Sequence, residues 1–164
     1  MTAPSVFESQ IAVMLPPSGV QFFVEGVDVV MGKQRHRVST RTRAGRPLLN
    51  ARMYTPARTV NAERRIRDVA KPCFKTMLTG PIVIKVWVHM PIPASWSKVR
   101  RANALAHHIM PLVKPDASNV LKLIEDALNN VAYIDDSHIV QATVQKMYSP
   151  TPGLMIQLFS LVDY

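Results

Sequence analysis

Lys114-Pro115-Asp116-Ala117-Ser118-Asn119-Val120-Leu121-Lys122 begins a segment that runs through Asp126-Ala127-Leu128-Asn129 to Asp135-Asp136. Val120, Leu121, Ile124 and Leu128 recur at helical spacing, so residues 119–128 are expected to form a helix with one apolar face. Asn119, Lys122 and Asp126 share another face, at i, i+3 and i+7. Asp116 stands just before this helix, where aspartate commonly serves as an N-cap. Residues 116–136 hold five of the chain's 11 acids: Asp116, Glu125, Asp126, Asp135 and Asp136. Carboxylates held close repel one another. A hard divalent cation such as Mg²⁺ relieves that repulsion, and Mg²⁺ at a polyanion suits phosphodiester chemistry.

Each of these residues also has an ordinary reading. Asp116 is a cap, Lys122 and Asp126 are a surface ion pair four residues apart, and Asp135-Asp136 is a turn. One shared site accounts for all of them at once. Neighbouring residues in extended chain point opposite ways, so only one of Asp135 and Asp136 is expected to face Asp116.

The acids sit in a basic protein. The 164 residues carry 20 Lys+Arg against 11 Asp+Glu, a net charge of +9. Eleven of the cations fall between Lys33 and Arg67, with Glu63 as the only acid among them. This run includes Lys33, Arg35, Arg37, Arg58, Arg64 and Arg65; Lys98, Arg100 and Arg101 form a second group. Guanidinium groups match phosphate oxygens bidentately, so an arginine-rich run points to nucleic acid rather than to a merely solvated face. Trp96 and Tyr54 are candidates to stack on exposed bases or, equally, to pack internally. Cys73 is the only cysteine, which excludes an intrachain disulfide and a cysteine-built zinc site. No apolar run approaches the roughly 18–20 residues that span a bilayer, and no secretory signal pattern opens the chain. A cytosolic protein without a membrane partner is expected.

Residues 1–19 read as a lead-in and residues 20–164 as one domain. Val20–Val30 reads as a strand and 31–58 as a loop or extended hairpin. A helix from Thr59 carries the stripe Ile66, Val69, Ala70, Cys73, Phe74, Met77, with a kink or break at Pro72. Ile82–Met90 is the clearest strand, with Ile82, Ile84, Val86 and Val88 on its buried face. Pro91–Met110 reads as irregular. Ile139–Tyr148 and Leu154–Val162 complete the set as strands. The order implies an α+β fold, a small mixed sheet with two principal helices.

The acidic segment resembles the RusA family of Holliday-junction resolvases. That family's motif runs approximately K-P-D-x-D-N, a lysine three residues on, D-A-L-N, and D-D-[SA]-Q-V. The corresponding residues here are KPDASN, Lys122, Asp126-Ala127-Leu128-Asn129, and Asp135-Asp136-Ser137-His138-Ile139. Gly26 to Arg37, Tyr54-Thr55-Pro56 and Ser95-Trp96-Ser97-Lys98 resemble further family segments. The resemblance implies a homodimer that binds four-way DNA junctions and nicks two opposed strands with Mg²⁺, Mn²⁺ being able to substitute. It implies Asp116 and Asp136 as metal-binding and catalytic residues, Lys122 as the essential lysine, and Asp126 and Asn119 in support. DNA contacts then fall to the basic residues named above.

Ser118 departs from the motif, which has an aspartate there. A neutral hydroxyl weakens a Mg²⁺ site. Ser118 binds the metal through water, or another acid substitutes (Asp135 rather than Glu125, which lies about 10 Å farther along the helix), or the protein binds junctions with little cleavage. Ser118 also has an ordinary reading as a cap. Retention of Asp116, Lys122, Asp126 and Asp136 favours an active enzyme. The competing classes are a metal-dependent nuclease of other specificity, a non-enzymatic DNA-binding protein, and an RNA-binding protein, which leaves the clustered acids unexplained.

Overall fold

The computed structural model describes residues 19–41 and 47–161. The expected lead-in, apart from Gly19, lies outside them. Six strands run β1 (Val20–Glu25), β2 (Arg37–Arg41), β3 (Pro47–Tyr54), β4 (Ile82–Pro91), β5 (Ile139–Ser149) and β6 (Gly153–Ser160). The α-helices among the described residues are α1 (Ala57–Ala70), α2 (Lys98–Leu105) and α3 (Ala117–Leu128). The fold is α+β. Four strands form one sheet in the order β1-β6-β4-β5, while β2 and β3 pair as a separate hairpin. Strand β6 is antiparallel to both neighbours, and β4 and β5 are parallel, so the sheet is mixed. A parallel pair requires a long crossover; here it carries α2 and α3.

Strand β4 forms because its residues are β-branched and buried: Ile82, Ile84, Val86 and Val88 are each at most 1% exposed. They meet Ile66 from α1, Leu123, Ile124 and Leu128 from α3, and Leu154, Ile156 and Leu158 from β6 in one core. Helices α1 and α3 pack on each other; α1 also packs on β1, and α3 on β5. Each such buried aliphatic side chain contributes about 1.5–3 kcal/mol of transfer free energy.

Several boundaries differ from the sequence reading. The first strand ends at Glu25, because Gly26 takes φ +122 and the chain turns. A Cβ at Gly26 would lie 2.5 Å from the Asp28 carboxylate, so glycine is required there. The helix after Thr59 begins two residues earlier, at Ala57, and stops at Ala70. A short 3₁₀ turn, Lys71–Cys73, contains Pro72, and Phe74 is already extended. The apolar stripe continued in sequence past the point where the backbone left the helix. Cys73 is therefore exposed and Met77 is 43% exposed, whereas Phe74 packs edge-on against Phe22. The segment 91–110 is not wholly irregular, since α2 forms there. Ser97 caps it by accepting a hydrogen bond from the Arg100 N–H. The basic stretch 31–58 includes the β2–β3 hairpin, with Arg37 opposite Tyr54.

Candidate active site

Helix α3 organises the acidic residues. Asp116 is its N-cap residue with extended backbone, yet its side chain does not cap the helix. Its carboxylate instead accepts a hydrogen bond from Asn119 Nδ2 at 3.1 Å. The Asn119 carbonyl accepts from the Lys33 N–H at 2.8 Å, which ties the segment after β1 to the first turn of α3. Gly32 allows that approach, because a Cβ there would come 2.7 Å from the Asn119 Cβ. Between the two segments lies a cleft of about 500 Å³, lined by Lys33, Gln34, Arg58, Lys114, Asp116 and Asn119 among others. Two exposed cations, Arg58 and Lys114, thus share a concavity with an exposed carboxylate.

Farther along α3, Ser118, Lys122 and Glu125 fall at i, i+4 and i+7 on one stripe. After the helix, Asn130 takes a left-handed conformation (φ 60) and Tyr133 bridges to Asn129. The Tyr133 hydroxyl donates to the Glu125 carbonyl at 3.2 Å. This turn brings Asp136 back to Glu125. Burial and then the Asp136 charge push the Glu125 carboxyl above its ordinary value, and Lys122 pulls it down. Tyr133 is likewise pushed up, by burial first and then by Glu125 and Asp136. Lys122, Glu125 and Asp136 therefore lie within electrostatic reach of one another. Asp135 is used differently: it caps the 3₁₀ turn Asp136–His138, accepting from the Ser137 N–H at 3.0 Å. Hydrogen bonds from Ser137 hold its carboxyl below the ordinary value. Of the adjacent pair, Asp136 is the one beside another acid of the helix.

Glu125 is the residue that sequence reasoning set aside. Its distance from Ser118 along the helix stands, but Asp136 returns to Glu125's end. Asp116 and Glu125 are nine residues apart, about 13 Å along the axis. Lys122 lies between them. Asp126 pairs with Lys33, and Glu63 is 4.0 Å from the same ammonium. Among the described residues Asp126 thus pairs at longer range and not with Lys122, the ordinary reading of that spacing, and Lys33 is engaged by acids.

Among the described residues no three Asp, Glu, His or Cys side chains form a ready-made metal cage. Mg²⁺ does not require one, because it binds through one or two carboxylates together with waters and substrate phosphates. The hard oxygens of Glu125 and Asp136, and the repulsion that raises Glu125, fit such an ion, while Asp116 offers a separate carboxylate at the start of α3.

The basic residues divide. Arg65 donates to both carboxylate oxygens of Asp28 at 2.6 Å and to the Glu25 carbonyl, closing the β1 turn onto α1. Arg64 lies 3.8 Å from Asp68 on the surface of α1. Arg67 Nε donates to the Ala127 carbonyl at 3.2 Å, joining α1 to α3. Arg35, Arg37, Lys98 and Arg101 are exposed. Arg100 lies over the Trp96 ring at 4.0 Å, and Trp96 meets Tyr148 edge-on at 5.0 Å. Trp96 is therefore a half-buried packing residue with one face taken, while Tyr54 is 47% exposed.

A sequence model of the family described as "Endodeoxyribonuclease RusA" matches residues 29–159. The chain belongs to the RusA family. A relative, the uncharacterized protein YqaN of Bacillus subtilis (strain 168), is 31% identical over 144 residues, covering 85% of this chain and 94% of that one. RusA membership supports DNA nuclease activity and a role at DNA junctions. The match spans the cleft, all of α3 and Asp136. No helix among the described residues is long and apolar enough to cross a membrane.

Proposed function

We propose that this protein is a divalent-metal-dependent endonuclease that resolves four-way DNA junctions by paired, symmetric nicks, acting as a homodimer inside a bacterial cell. One observation carries the reading. The RusA match coincides with a cleft in which Arg58 and Lys114 flank Asp116, at the start of the helix that bears Lys122 and Glu125. The exposed cations of the cleft suit phosphate, and its one carboxylate, Asp116, suits a hard metal ion. Asp116 in the cleft and Asp136 beside Glu125 are the proposed metal-holding residues, each a carboxylate for Mg²⁺, with Mn²⁺ as a substitute. Such an ion activates water and polarises the phosphodiester. Lys122 neutralises charge that builds on the phosphate as the bond breaks. Asn119 orients Asp116 through its hydrogen bond, and Asp135 fixes the turn that carries Asp136. Arg35, Arg37, Arg58, Lys98 and Arg101 hold the arms of the junction. Two-fold symmetry of a dimer suits a substrate that needs two opposed nicks. Residues 20–164 act as one domain.

Ser118 favours a second reading, a junction-binding protein with weak cleavage. It occupies an exposed position in the first turn of α3 and contributes no charge. A labelled mobile junction, incubated with and without Mg²⁺ and run on native and denaturing gels, separates the two. Paired nicks that need Mg²⁺ support the resolvase. Tight binding without nicks supports the second reading, and equal binding to duplex and junction removes both.

A further inference from the structure

Lys146 belongs to neither basic cluster. It lies on β5, opposite Val88 in the parallel ladder with β4, and is half-buried. Its ammonium donates to the Val113 carbonyl at 2.7 Å and to the Pro115 carbonyl at 3.1 Å. These two carbonyls flank Lys114, and that of Pro115 immediately precedes Asp116. Pro111 is buried and Ile109 packs against the core, but the stretch from Leu112 to Lys114 has little else to hold it. Among the described residues, no backbone hydrogen bond joins Ile109–Pro115 to another backbone group. Leu112 is 94% exposed and Val113 is 56% exposed, so packing does not fix these side chains.

We infer that Lys146 is a positioning residue, which clamps the 113–115 segment to the sheet and thereby sets Asp116 and Lys114 at the cleft. An ammonium is suited to this because it offers three N–H donors and a charge to two carbonyl dipoles. The strand that carries it is paired along its length with β4, whereas the loop it holds has no such ladder. Lys146 does not line the cleft; it acts through the backbone of its neighbours. The importance of that backbone follows from the sensitivity of catalysis to placement, since a displacement of about 1 Å can cost on the order of a hundredfold in rate. Groups that orient metal ligands have measurable effects on metal affinity as well.

This inference rests on the nuclease reading, and its test separates the two. Wild type, Lys146→Met and Lys146→Arg are compared for junction binding without metal, for single-turnover cleavage across a Mg²⁺ titration, and for amide hydrogen exchange. Lys146→Met is expected to bind the junction like wild type, to cleave about tenfold to a hundredfold more slowly, and to need more Mg²⁺ for half-maximal rate. Exchange is expected to rise at residues 112–117 and to stay unchanged in β4. Lys146→Arg keeps the charge and the donors, and is expected to restore most of the rate and the Mg²⁺ midpoint. Wild-type cleavage and exchange in Lys146→Met would overturn the inference. So would a loss of junction binding that matches the loss of cleavage, which would make Lys146 a DNA contact. If Lys146→Met does not fold, Lys146→Arg decides: a folded Arg variant as inactive as an Asp116→Asn control counts against the clamp. If wild type itself does not nick, the nuclease reading falls, and the exchange comparison still shows whether Lys146 holds the segment.

Discussion

Helices α1 and α3 lie side by side in one layer, yet they use their charged residues in opposite ways. On α1, Arg65 is bound to Asp28 and the Glu25 carbonyl, Arg64 faces Asp68, and Arg67 reaches the Ala127 carbonyl. Arg65 and Arg67 join α1 to its neighbours, whereas Arg58, at the start of the same helix, stays exposed in the cleft. On α3, Ser118 and Lys122 are exposed, and Glu125 is raised by a second acid at its side. Asp126 apart, which pairs with Lys33, the charges of α3 are not spent on joining it to other elements. A count of cations therefore overstates the number of phosphate contacts, and a tolerated repulsion marks the site better than charge density does.

The largest expected effect is on the α3 side. Asp136→Asn should abolish cleavage while junction binding stays equal or tightens, because a carboxylate that repels DNA is gone. Gel shift and single-turnover cleavage measure both, and a parallel loss of binding would argue against a metal-holding role. Ser118→Asp should come next. It adds the missing negative charge and is expected to lower the Mg²⁺ concentration that supports half-maximal cleavage. A drop in activity would mean a site built differently around Ser118.

The two arginine fates can be set against each other directly. Arg58→Ala should weaken junction binding and reduce the slope of log affinity against log salt by about 1. Arg65→Ala should leave that slope unchanged and cost about 1 kcal/mol in denaturant unfolding, a modest figure because the pair is partly exposed. If Arg65→Ala alters the salt slope instead, the division between these two arginines of α1 fails.

The smallest effect concerns the sheet. His89 lies beside Phe23, and burial holds its imidazole below the ordinary value of 6.5. The unfolded chain then binds more protons, so stability is full above about 6.5 and falls as pH drops toward the lower folded value. Thermal unfolding at pH 7.5 and 5.5 should show a smaller acid-induced drop in His89→Gln than in wild type.

Much of this was legible in the residues. Strand β4 announced itself through β-branched alternation, and α3 through its apolar spacing. Helix α2 did not, because only Ala104 of its residues is buried and no apolar stripe can be seen. The overrun at Cys73 and Met77 came from a periodicity that outlived its backbone beyond Pro72. In the site, the spacing of Ser118, Lys122 and Glu125 is written in the sequence, but the return of Asp136 to Glu125 depends on the turn at Asn130 and Tyr133. The arginine fates depend on partners as distant as Asp28 from Arg65, which no local pattern reveals.

The strand order β1-β6-β4-β5 has a consequence for how the chain is made. Strands β1 and β4 precede the crossover, and β5 and β6 follow it; the two groups alternate across the sheet. Neither pair is adjacent within itself, so every ladder of this sheet joins an early strand to a late one. During synthesis none of those ladders can close until the segment bearing Asp116, Lys122 and Asp136 has emerged. The nascent chain must hold its future cleft open and unassembled, and the last strand completed, β6, inserts between two that have been waiting.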